Sequence, residues 1–192
     1  MQPRRASALA GLAAPVASLG AIFLATLLSP TFSWTGSALS NLGAPGEPTA
    51  PLFNGGLILG GLLALGFGPA LWTASDHPLE RAGIALFALT AVSLGLIGVF
   101  PLGTPEHLPV AVGFYLLLSL SLWIYGAGEA LAGARARGLA TVGLGGVNVA
   151  AWVVWTAGGD LRRAGLALPE IVGAVVLAGW TAATARRLLD GR

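Results

Sequence analysis

Glu106 and His107 stand side by side in the segment Pro101-Leu-Gly-Thr-Pro-Glu-His107, and Glu170 follows Pro169 near the start of the last apolar run. Histidine exchanges a proton near neutral pH and a neighbouring carboxylate can orient its ring, so His107, Glu106 and Glu170 are the candidates for acid–base chemistry. A metal centre needs about three protein ligands. Glu106, His107, Asp160 and Glu170 could contribute, but their spacing matches no ligand pattern, and neither a metal nor a cofactor is assigned.

Other catalytic signatures fail on their residues. Ala91-Val-Ser-Leu-Gly95 lacks the first glycine of Gly-x-Ser-x-Gly, and no His-Glu-x-x-His occurs. Cysteine is absent, which excludes thiolate nucleophiles, thiolate metal sites and disulfides. All 10 basic residues are arginine. Without lysine there is no Schiff base and no P-loop. A haem held by two histidines is disfavoured, because His77 is expected on the opposite side of the membrane from His107.

The elements that must position these residues are set by composition. The 192-residue chain is 55% hydrophobic and 9% charged, whereas about a quarter of residues are charged in soluble domains. With a mean hydropathy of +0.81, it reads as an integral membrane protein. Its 29 glycines and 12 prolines are spread through the apolar runs, where small residues allow close helix contact and prolines sit near span ends. Six spans are expected, at 8–30, 51–74, 82–100, 107–132, 139–157 and 166–185. Each is long enough to cross a hydrocarbon core of about 30 Å at about 1.5 Å per residue. The first exceeds the roughly 7–15-residue core of a signal peptide and is read as a retained helix. Short connections imply one polytopic domain over 1–192, an all-α up-and-down bundle.

Arginine placement orients it. With a cytoplasmic N-terminus, Arg4, Arg5, Arg81, Arg135, Arg137, Arg186, Arg187 and Arg192 lie inside and only Arg162 and Arg163 outside, so both termini are expected in the cytoplasm. Trp34 then sits at the outer interface, and Trp72 and Trp180 near the inner one, as anchoring residues. Polar residues left over from charge counting gather outside: Ser33, Ser37, Ser40, Asn41, Glu47, Asn54, Glu106, His107, Asp160, Arg162, Arg163 and Glu170. The outer mouth is therefore the candidate site.

In the first outer loop, Trp34, Ala38, Leu39 and Leu42 share one helical face, with Ser37, Ser40 and Asn41 elsewhere and Gly43 available as a left-handed end. The pattern predicts a short helix lying in the interface; an ordinary solvated loop is the simpler account. Asn54 is placed to cap the second helix or bond a neighbour, and Ser75 or Asp76 to cap the third. For Glu170 two accounts stand: stabilising the N-terminus of its helix, or facing the bundle interior with Arg162, Arg163 or His107 as partner. Ser119, Ser121, Glu129 and Asn148 read as interhelical hydrogen bonders or interface positions. Leu42-Gly-Ala-Pro45 and Leu102-Gly-Thr-Pro105 resemble each other, but spacing to later tryptophans differs and chance accounts for the match.

Ser37-Ala-Leu-Ser-Asn-Leu-Gly43, Leu52-Phe-Asn-Gly-Gly56 and Gly98-Val-Phe-Pro101 with His107 beyond resemble the motifs of a prokaryotic membrane family, domain of unknown function 998, over nearly the whole chain. The resemblance implies six spans and puts Ser40, Leu42, Gly43, Phe53, Asn54, Phe100, Pro101, His107 and Glu170 at motif positions. Asn41 stands where that family usually has Asp, which removes proton exchange at this position and leaves hydrogen bonding. The resemblance carries no reaction.

The leading reading is a plasma-membrane protein that binds a lipid headgroup or small amphipathic ligand at an outward-facing site of Trp34, Ser40, Asn41, Asn54, His107, Arg162, Arg163 and Glu170. One alternative is a membrane-embedded enzyme using His107 with Glu106 or Glu170; another is a structural or accessory subunit. Membrane lipids are the expected partners, and a homo-oligomer or membrane partner is left open. The arginines are too dispersed for a nucleic-acid surface.

Overall fold

The computed structural model describes residues 2–158 and 165–191. They form six α-helices and one 3₁₀ helix: α1 Gln2–Leu28, the 3₁₀ helix Leu39–Gly43, α2 Ala50–Thr73, α3 Pro78–Val99, α4 His107–Leu131, α5 Arg135–Ala157 and α6 Ala167–Leu189. Every α-helix is long and apolar enough to cross a membrane. The chain is a multi-pass membrane protein.

α3 begins ahead of its apolar run because its first turn is locally stabilised. α3 starts at Pro78, a residue whose fixed φ suits a first turn. Its cap is neither Ser75 nor Asp76. His77 Nδ1 accepts from Leu79 N at 3.2 Å, and Glu80 Oε2 accepts from Asp76 N at 2.8 Å. The Ser75 hydroxyl instead donates back to the Leu71 carbonyl at 2.9 Å. Within α2, Pro69 cannot donate a backbone hydrogen bond. One residue on, Ser7 of α1 bridges the helix, donating to the Gly66 carbonyl at 2.6 Å and accepting from Ala70 N at 3.0 Å.

Helices adjacent in sequence pack against each other, and α6 packs on both α1 and α5, closing the bundle. The contacts run antiparallel. Gly61 of α2 abuts Ala91 and Gly95 of α3 while Gly98 abuts Asn54, and Gly126 of α4 meets the backbone of Gly138 in α5. A side chain at Gly61, Gly98, Gly126 or Gly138 would strike the facing backbone, so these four set the interhelical spacing. Enclosure differs sharply between the last two helices: 56% of the most apolar stretch of α6 is buried against 22% of that of α5. α6 is central and α5 peripheral.

The core differs from the sequence expectation at Trp180. It is 4% exposed and packs between Phe87 and Tyr125, with ring centroids 5.3 Å from each. It is a core residue and not an interface anchor. Trp72, 50% exposed with the Arg81 guanidinium 5.5 Å above its ring, stays on the surface.

Candidate functional site

Glu170 lies in the first turn of α6, buried, and its Oε2 accepts from Leu39 N at 2.5 Å. The carboxyl group thus caps the start of the 3₁₀ helix across 131 residues of chain. Two backbone bonds reinforce it: Gly165 N donates to Thr35 O at 2.6 Å and Ala167 N to Ser37 O at 3.0 Å. At the other end, Thr49 Oγ1 donates to Leu42 O at 2.8 Å and Asn54 Nδ2 to Gly43 O at 3.0 Å. Within the segment, Asn41 Oδ1 accepts from Ala38 N at 2.7 Å, an acceptor task that needs no charge. The 3₁₀ helix is held at both ends as a roof on the bundle.

The helix begins at Leu39, and Leu39, Ser40, Leu42 and Gly43 are buried beneath it. Trp34 precedes it and packs on Phe32 and Phe23, with centroids 5.2 and 6.3 Å away. The expected left-handed role of Gly43 is not found: the positive φ of this loop belongs to Gly46, at 89°. Gly43 is needed for another reason. A Cβ there would collide with the Asn54 carboxamide and the Phe53 ring.

His107 opens α4 and is buried, with Nδ1 2.8 Å from Phe100 O at the end of α3. The carbonyl only accepts, so in the neutral ring the proton sits on Nδ1 and Nε2 is left as an acceptor. Glu106 is exposed at the helix cap, beside His107 in sequence but outside the enclosed space.

Two spaces meet beneath the roof. An inner cavity of about 50 Å³ lies among α1, α2, α3, α4 and α6, with Ser40, His107, Tyr115 and Glu170 as its polar wall. The same four residues also border a larger cleft, of about 700 Å³, between α4 and α5. Along α4, His107, Ala111, Tyr115 and Ser119 recur every fourth residue and so form one stripe facing it. Asn148 and Trp152 of α5 form the opposite wall. Leu108, Val112 and Leu116 on α4 and Val149 and Val153 on α5 are exposed at its sides, so the cleft opens laterally through an apolar flank.

Asn148 is 1% exposed; its Nδ2 donates to Tyr115 O at 3.0 Å and to Ser119 Oγ at 2.8 Å, while Oδ1 has no partner among the described residues. The interhelical bonding expected of Ser119 and Asn148 is thus present, and in addition both reach the cleft. Neither their place there nor that of Tyr115 and Trp152 follows from the sequence reading, although the four-residue stripe from His107 to Ser119 is visible in it.

A family model described as "Protein of unknown function (DUF998)" matches residues 12–187. The chain belongs to this family. No curated protein matches it, and no solved structure does.

Of the site residues expected from sequence, Ser40, His107 and Glu170 come together on the cleft, whereas Asn41 and Asn54 hold the roof and Trp34 packs beside it. Arg162, Arg163 and Asp160 lie outside the described residues. His77 and His107 begin the antiparallel helices α3 and α4 and so sit at opposite ends of the bundle. Among the described residues, no three His, Asp or Glu side chains group as metal ligands.

The far end carries a second buried acid. Glu129, 2% exposed, accepts from Arg137 Nε at 2.6 Å, Thr141 Oγ1 at 2.9 Å and Arg187 Nη2 at 3.5 Å, tying α4, α5 and α6 together. Arg137 and Arg187, two of the arginines in the charge count, are therefore ion-pair partners.

Proposed function

We propose that this protein binds a membrane lipid or another amphipathic molecule in the α4–α5 cleft, with the headgroup against Ser40, His107 and Glu170 and the chain along the apolar flank. The observation that carries this reading is the cleft itself: about 700 Å³, open sideways along two helices, with Ser40, His107 and Glu170 together at its roofed end. Such volume and lining suit a ligand whose apolar part replaces lipid contact and whose few polar atoms fix its orientation. The arginine distribution supports cytoplasmic termini, which puts the roofed end on the outer face of the plasma membrane, with the Trp34–Gly43 segment at the interface.

The test is native mass spectrometry of the protein released with its own membrane lipids, comparing wild type with Ala111→Phe, which fills the cleft, and His107→Gln. A specific bound mass in wild type that Ala111→Phe abolishes is expected. Wild type without any retained mass, or a mass that survives Ala111→Phe, overturns the proposal.

An acid–base role for His107 draws on its free Nε2 beside Ser40 and Glu170. It requires turnover of a bound ester-bearing lipid that His107→Gln abolishes, and Glu106, outside the cleft, has no part in that version.

A further inference from the structure

The polar atoms left without partners in the cleft are mainly of one kind. His107 spends its Nδ1 proton on Phe100 O, which leaves Nε2 as an acceptor. Glu170 uses one oxygen on Leu39 N and keeps the other free. The Ser40 hydroxyl adds a donor, whereas the Tyr115 hydroxyl is spent on the Glu170 carbonyl and the Trp152 indole N–H is buried. Arg137 and Arg187 are engaged by Glu129 at the far end.

Tyr115 and Trp152, whose centroids are 4.8 Å apart in an edge-to-face pair, add two aromatic rings to the same walls. Acceptors, one acidic group and aromatic faces together complement a cation that carries several N–H donors. An ammonium also supplies the counter-charge that a carboxylate at membrane depth requires. We infer that the ligand of the α4–α5 cleft is an amphiphile with a protonated amine headgroup, rather than a phosphate or a neutral alcohol. This rests on the cleft being a binding site at all, and the experiment separates the two.

Three probes of equal chain length, each brominated on the chain, are titrated into purified protein: an alkylammonium, an alkyl phosphate and an alkyl alcohol. Quenching of tryptophan fluorescence reports binding, and Trp152→Phe identifies the part of the signal that comes from the cleft. The ammonium is expected to bind about tenfold or more tightly than either other probe, with Glu170→Gln erasing most of that margin. Equal or tighter binding of the phosphate or the alcohol, still dependent on Trp152, overturns the headgroup assignment and leaves the cleft reading standing. Absence of any Trp152-dependent quenching overturns both. The three-probe comparison on wild type decides the matter even if Glu170→Gln does not fold.

Discussion

Gly43 illustrates how much a single residue decides here. The Asn54 carboxamide that holds the end of the roof lies where a Cβ on residue 43 would go, with the Phe53 ring beside it. Gly43→Ala is therefore expected to lower stability by about 1–3 kcal/mol, the range for overpacking. The check is thermal unfolding in detergent of Gly43→Ala, Asn54→Ala and the double variant. The double should lose less than the sum of the singles, because removing the carboxamide makes room for the methyl. Strict additivity would dismiss the collision as the cause. Asn41 is a quieter case: its oxygen accepts from Ala38 N, and an amide serves for this as well as an acid does.

α5 is the least enclosed helix, held to α4 by Asn148 at mid-helix and by the Glu129 cluster at its start. The cleft lies on the Asn148 side. Glu129→Ala leaves two arginines without their shared acid and frees the Thr141 hydroxyl, for a loss on the order of 3 kcal/mol. Arg137→Ala should cost well under that, since its side chain is 46% exposed and water screens the pair. Urea or thermal unfolding of both variants in detergent checks the order; an equal effect would contradict a buried acid as the centre of the cluster. The six spans were legible because sustained hydropathy is a one-dimensional signal. Glu129 and Asn148 were not legible beyond being polar, because their partners come from two or three helices. His77 is not legible as a cap because its neighbours Ser75 and Asp76 are the commoner capping types. Of the site, Ser40, His107 and Glu170 could be named in advance, while the opposite wall could not, since which face α5 turns toward α4 depends on Gly126 meeting Gly138.

For the whole molecule, orientation is the outstanding physical question, and the absence of cysteine makes it directly measurable. Glu106 and Ala132 are both exposed, at opposite ends of α4. With cytoplasmic termini, Glu106→Cys should react with a membrane-impermeant maleimide on intact cells and Ala132→Cys only after permeabilisation. The opposite pattern would invert the topology and place the cleft's polar end inside.

The pairing of the roof with the start of α6 also orders events in time. Synthesis proceeds from the N-terminus, so Thr35, Ser37 and Leu39 are made long before Gly165, Ala167 and Glu170, which supply their hydrogen bonds. Until α6 arrives, two carbonyls and one N–H near the roof lack their final partners, a condition that buried backbone does not tolerate. Closure of the roof therefore waits for the start of α6, and a product stalled before it has five helices but no finished pocket for a ligand to enter.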